Sequence, residues 1–135
     1  MKYERAWQNK KAYKLYKENW KLCHEIIDLR DGHRCRICNV SPDLQLDHVF
    51  SRECKILFFD PKNLGYLCAP HHQHKSLRRG QWVDMLVKEI ARKRDPDWFA
   101  WALQESKKIC GSFRTAGYQE QININLKEQR SERND

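Results

Sequence analysis

Two short metal-ligand pairs set the tightest limit on how this chain folds. Cys35 and Cys38 are spaced Cys-x2-Cys, and after 29 intervening residues Cys68 and His71 follow as Cys-x2-His. Structural zinc takes four Cys or His ligands, commonly as two close pairs that the fold brings together. If these four residues close on one ion, everything between Cys38 and Cys68 is pinned at its base. A lone Cys-x2-Cys would carry little weight; two such pairs in one short chain point to structural Zn2+. Two alternatives stay open: buried unpaired thiols, and a different fourth ligand among His33, His72 and His74.

The remaining composition narrows the context. The chain has 135 residues, enough for one compact domain, and a single unit over 1–135 is expected. A domain of this size gains from a metal that supplements its apolar core. Six cysteines with no hydrophobic leader ahead of them suggest thiols in a reducing compartment, so a cytoplasmic location is expected, with Cys23, Cys54 and Cys110 as free thiols. No apolar run approaches the roughly 18 residues of a membrane span. A net charge of +8 and a pI near 9.3 favour a polyanionic partner, because lysines and arginines that neutralise phosphates release condensed counterions.

Periodicity divides the chain into an α+β, mostly helical pattern. Residues 3–30 lack Pro and Gly and place Tyr13, Tyr16, Trp20, Cys23 and Ile27 at helical spacing, with Gly32 as a stop. Lys10, Lys11, Lys14, Lys17 and Lys21 fall mostly on another side, as either a solvated or a phosphate-contacting face. Leu44, Leu46, Val49 and Phe50 flank Asp47 and His48 in a short strand. A loop to Asn63 and a second strand at Leu64, Tyr66 and Leu67 follow, and Pro70 opens a helix carrying His71 to His74. Helices are expected over 80–125. In the first, Trp82, Met85, Leu86 and Ile90 form the apolar face; the second, capped at Asp95-Pro96, continues through Phe99, Ala102, Leu103, Ile109, Cys110 and Phe113. The polar run 127–135 reads as a frayed tail.

Within the bracket formed by the outer four lies a second set, His48-x14-Asn63-x8-His72, with Asp47 directly before the first His. Phosphodiester hydrolysis needs a base to activate water and a cation to stabilise the charged phosphate. A neutral His48 can be that base, and Asn63 can orient its imidazole. Asp47 and His72 can hold one divalent ion, leaving positions for water and a phosphate oxygen as magnesium prefers. Strand alternation would turn Asp47 and His48 to opposite faces, so both reach one site only with a local irregularity. Arg52, Lys75, Arg78 and Arg79 lie near in sequence and are read as solvated cations or as grips on flanking phosphates.

Taken in order, these residues resemble the HNH endonuclease family over about 29–76. Arg30-Asp31-Gly32 before Cys35, Leu46-Asp47-His48, Asn63-Leu64, Leu67-Cys68, His72 and Lys75 stand where that family has such residues. The resemblance implies a zinc-stabilised ββα-metal core with an N-terminal helix and C-terminal helices around it. It also implies DNA as substrate, His48 as general base, Asn63 as its orienting partner, and Asp47 with His72 as ligands of a catalytic Mg2+ or Mn2+. His71 departs from the pattern, since zinc-bearing members usually have Cys there. A further similarity, through Gln73-His74-Lys75-Ser76 and the helix with Trp82, Val83 and Leu86, is to the phage Rap/NinG recombination endonucleases, which implies branched DNA and a phage-encoded protein acting in a host cell. That group usually has Asn at the position of His72. His74 is open between an active-site residue and a polar helix residue, the protein between monomer and homodimer. The competing expectation is a zinc-stabilised nucleic-acid-binding module without catalysis.

Overall fold

The computed structural model describes residues 9–50, 55–108 and 114–134. The chain is α+β and mostly helical, with one two-stranded antiparallel sheet among the described residues. It divides into two compact units, one of residues 1–30 and 111–135 and one of residues 31–110.

The first unit is built on helix α1 (Lys10–Asp31) and a long C-terminal helix, Ala116–Asn134. Asn9 starts α1, its side-chain oxygen accepting from the Ala12 amide at 3.0 Å. The residues expected ahead of it, 3–8, lie outside the described part. Ala12, Tyr13, Leu22, Cys23, Ile26 and Ile27 are buried; Tyr13, Cys23 and Ile27 are on the expected stripe, whereas Tyr16 and Trp20 are only partly buried. In their midst sits Asn19, fully buried, whose amide donates to the Gln119 carbonyl (3.0 Å) and Gln119 Oε1 (2.9 Å) and accepts from Asn123 Nδ2 (3.0 Å). A buried polar group must be paired, so this trio locks the register of the two helices. The expected frayed tail is corrected here. Leu126 is buried and Arg130 reaches Glu25 at 3.0 Å, so residues 127–134 continue a helix instead of fraying. Lys, Glu, Gln and Arg are good helix formers, and composition alone does not show the apolar anchor that holds them.

The second unit begins where Gly32, at φ +72, ends α1 in a conformation an L side chain resists. Strand β1 (Leu44–His48) pairs with β2 (Leu64–Cys68) in the register Leu44↔Cys68 to His48↔Leu64. Between them come one helical turn, α2 (Lys55–Phe58), and a 3-10 turn at Pro61–Asn63 that Asp60 caps. β2 is buried throughout and runs straight into α3 (Ala69–Leu77), with Pro70 in its first turn as expected. Two more helices, α4 (Trp82–Arg94) and α5 (Pro96–Glu105), close the core of Val49, Phe50, Leu57, Leu67, Val83, Val87, Trp98 and Ala102. Asp95 caps α5 by accepting from the Trp98 amide at 3.0 Å. With that, the C-terminal helix of the first unit is α6.

Two expectations change. The buried face of α4 is Val83, Asp84, Val87 and Ala91, whereas Trp82, Met85 and Leu86 stand exposed. Both stripes are apolar at helical spacing, and only packing decides between them. α5 stops at Glu105, and Ile109, Cys110 and Phe113, expected to extend it, lie outside the described residues. No described helix is long and apolar enough to cross a membrane.

Candidate functional site

The cysteine knuckle forms between α1 and β1. The Asn39 amide donates to the Cys35 carbonyl (2.8 Å) and the Cys35 amide to the Val40 carbonyl (2.8 Å). Asn39 takes φ 66, a left-handed turn that Asn tolerates. Cys68 ends β2 and His71 sits in the first turn of α3, so the hairpin and helix deliver the second pair to the first. The ligand atoms of Cys35, Cys38, Cys68 and His71 all lie within 4.8 Å of one another. Tetrahedral zinc with Zn–S near 2.3 Å requires ligand–ligand edges of roughly 3.5–3.8 Å. Cys38 Sγ to Cys68 Sγ is 3.7 Å, Cys35 Sγ to His71 Nδ1 is 3.6 Å, and Cys68 Sγ to His71 Nδ1 is 3.2 Å. The four residues therefore fit a metal such as zinc.

Two of the thiols are shifted in opposite directions. Burial opposes ionisation of Cys35, but the amides of Cys38, Cys68 and Ile37 and the His71 ring outweigh it and bring the thiol down to about 6. Burial raises Cys68, and the neighbouring thiols raise it further, as one anion beside another would be expected to do. The other candidate fourth ligands lie elsewhere: the His33 ring packs on Tyr66 (4.8 Å), His74 on Trp82 (5.3 Å), and His72 turns toward Asp47.

Asp47 is the electrostatic centre of the hairpin. It is 4% exposed, and three cationic or titratable groups converge on it: Arg36 Nη2 at 2.7 Å and Lys75 Nζ at 3.3 Å, both to Oδ2, and His72 Nδ1 at 3.3 Å to Oδ1. Burial would raise its pKa, but the His72 ring and the Arg36 and Lys75 charges hold it below the usual carboxylate range. The His72 approach is close but out of line, and this buried Nδ1 has no hydrogen-bond partner among the described residues. The direct Arg36 contact is therefore the firmer support of the carboxylate.

Arg36 and Gly65 are the functional-site residues that sequence reasoning missed. Arg36 sits inside the knuckle, its amide donating to the Tyr66 carbonyl (3.0 Å), and its guanidinium crosses β2 over Gly65 to reach Asp47. A Cβ at Gly65 would meet Arg36 Cδ at 2.9 Å and Cζ at 3.0 Å, with Nη1 closer still. The available signal was a glycine within an otherwise apolar strand, which marks a close approach by another group.

His48 ends β1. Its Nε2 lies 2.9 Å from the Phe58 carbonyl and its ring rests on the Phe58 ring at 5.0 Å. A carbonyl only accepts, so Nε2 carries the proton and Nδ1 is the basic nitrogen. Asn63 does different work from that expected. Fully buried, it accepts from the Phe50 amide (2.8 Å) and donates to the carbonyls of Phe50 (3.3 Å) and Leu57 (3.0 Å). Both N–H groups are thereby used on the loop backbone, and the Phe58 carbonyl is a hydrogen-bond partner of the His48 ring. Asn63 acts one step back, joining Phe50 to Leu57, the residue that precedes Phe58.

Of the four expected phosphate contacts, Lys75 is corrected. Its side chain is 14% exposed, and its ammonium donates to the His48 carbonyl at 2.7 Å, between Asp47 and Asp84. It braces the site and does not project outward. Arg78 and Arg79 are exposed, in and beside a turn closed by the Gln81 amide on the Arg78 carbonyl (3.2 Å). Arg52, like Cys54 and Cys110, lies outside the described residues. Comparison with protein-family models, with curated proteins and with solved structures finds no match to this chain.

Proposed function

We propose that this chain is a metal-dependent DNA endonuclease of the HNH type, with Cys35, Cys38, Cys68 and His71 holding structural zinc beneath a hydrolytic centre at His48. The observation that carries the reading is a tautomer-fixed His48 at the end of the strand whose preceding residue, Asp47, meets the His72 ring out of line. Asp47 Oδ1 and His72 Nδ1 are 3.3 Å apart without hydrogen-bond alignment, a spacing suited to adjacent ligands of one ion. A divalent cation such as Mg2+ or Mn2+ held there would stabilise the charge that develops on the phosphate and the leaving oxygen. His48 Nδ1 takes the proton from the attacking water, and the Phe58 carbonyl holds the ring for that transfer. Arg36 and Lys75 neutralise Oδ2 of Asp47, leaving Oδ1 as its ligand atom. Arg78 and Arg79 contact flanking phosphates.

The test is nicking of supercoiled plasmid in Mg2+ or Mn2+ by the wild type and by His48→Ala. A loss of at least about 100-fold on removal of the base is expected; equal rates would sink the assignment. A second reading, a zinc-stabilised nucleic-acid-binding module without catalysis, draws on the double cation pairing of Asp47, which competes with metal binding. It would be preferred if the protein binds DNA and one zinc per chain but no added divalent ion produces turnover. Branched recombination intermediates are the substrate to compare with linear duplex, in the same assay.

A further inference from the structure

α3 presents two neighbouring faces. His72 and Lys75 turn to Asp47, while His71 and His74 turn to Trp82, the first residue of α4. The indole stands edge-on to the His71 ring at 5.6 Å and 88°, and tilted against His74 at 5.3 Å. One of those rings belongs to the candidate metal cluster, so the indole is backed by two imidazoles, one of them a candidate ligand. It is nonetheless 54% exposed, with Leu77 and Met85 exposed beside it in sequence. Immediately before it, in the turn that ends at Gln81, stand Arg78 and Arg79, both exposed and neither with an acidic partner among the described residues.

An open indole backed by two imidazole rings, next to two exposed guanidinium groups, suits a ligand that carries anionic charge and flat π-faces together. Nucleic acid has both, but in a duplex each base face is covered by its neighbours and only groove edges and phosphates are offered. Unpaired nucleotides expose the face itself, and aromatic stacking beside a cationic track is how single strands are held without sequence reading. We infer that Trp82, with Arg78 and Arg79, forms a stacking platform for an unpaired base, so that the protein prefers DNA containing single-stranded nucleotides over continuous duplex. The charge of the arginines favours this occupant over a second copy of this basic chain. The inference extends the endonuclease reading by naming its substrate class, and its test does not depend on cleavage.

Binding is measured for the zinc-loaded His48→Ala protein on three labelled probes: an oligothymidine, an abasic strand of the same length, and a blunt duplex. Introducing Trp82→Ala should weaken oligothymidine binding by about 5- to 150-fold, the range for one base stacked on one aromatic side chain, and change the abasic strand and the duplex by less than about twofold. Trp82→Phe should restore most of the affinity. Because Trp82 touches His71, zinc content is measured in each variant, and Trp82→Leu serves as the replacement that fills space without stacking. Leu behaving like Phe, or equal losses on all three probes, would overturn the platform. So would a Trp82-dependent dimer in sedimentation, which would make this face a self-association surface. Failure of plasmid cleavage with the probe pattern intact removes the nuclease reading alone; His48-dependent cleavage with no Trp82 effect removes the platform alone.

Discussion

Gly65→Ala places a single methyl group where the Arg36 guanidinium crosses β2, and its cost follows from what Arg36 does there. The added Cβ would lie 2.9 Å from Cδ and 3.0 Å from Cζ. The end of an arginine is ordinarily free to move aside, but this one is 11% exposed and bound to a 5% exposed carboxylate at 2.7 Å. Displacing it breaks a buried pair, which by itself costs about 3–5 kcal/mol. Lys75 stays 3.3 Å from the same oxygen and keeps the charge from being stranded. Replacing glycine within a strand also returns about 0.5–1 kcal/mol through the unfolded chain. The net expectation is a loss of about 2–3 kcal/mol, or on the order of 10 °C in the melting temperature of the zinc-loaded protein. Urea and thermal unfolding measure it, with a double-mutant cycle against Arg36→Ala as the decisive control: once Arg36 is gone, Gly65→Ala should cost under about 0.5 kcal/mol. Gly117, in the first turn of α6 and with nothing within 4 Å of a Cβ, is the comparison site, where Ala should stabilise slightly. Additive effects at 65 and 36 would refute the reasoning, because steric displacement of Arg36 is its only basis.

Three further outcomes are expected. Asn63→Ala leaves the Phe50 amide and the carbonyls of Phe50 and Leu57 without a side-chain partner, so stability should fall by about 2–3 kcal/mol; because the clasp, not the imidazole, is lost, hydrogen exchange should rise first at the Phe50 amide. Asp47 has a folded pKa below its unfolded value near 3.9, so its contribution is complete above that value and lost as pH falls through the lower folded pKa. Asp47→Asn should therefore be least stable relative to wild type at neutral pH and converge with it in acid, and a gap that widens on acidification would contradict this. Chelation should leave the four ligands without an ion, and Cys38→Ser should leave three to hold one; in either case zinc stoichiometry should fall below one and the Asp31–Cys110 unit should melt at a lower temperature.

Much of the hairpin and its metal cluster could be read from spacing. Two ligand pairs, alternation around Asp47 and His48, and proline ahead of His71 are local signals, because metal coordination, pleat and helix start each act over a few residues. The faces and partners could not be read in this way. Val83, Val87 and Ala91 and the competing stripe of Trp82, Met85 and Leu86 are equally apolar, and the choice between them is made by what α4 packs against. The polar run 127–134 is helical because Leu126, Asn123 and Arg130 meet residues more than 100 positions earlier or pack in that unit's core. Likewise Asn63 serves the loop, and Arg36 reaches Asp47 across the gap at Gly65, since a hydrogen-bonding side chain goes to whichever buried group lacks a partner. Residue type and spacing determined which chemistry this chain has available. Only the tertiary structure decided which donor meets which acceptor, because that depends on which polar groups burial deprives of water.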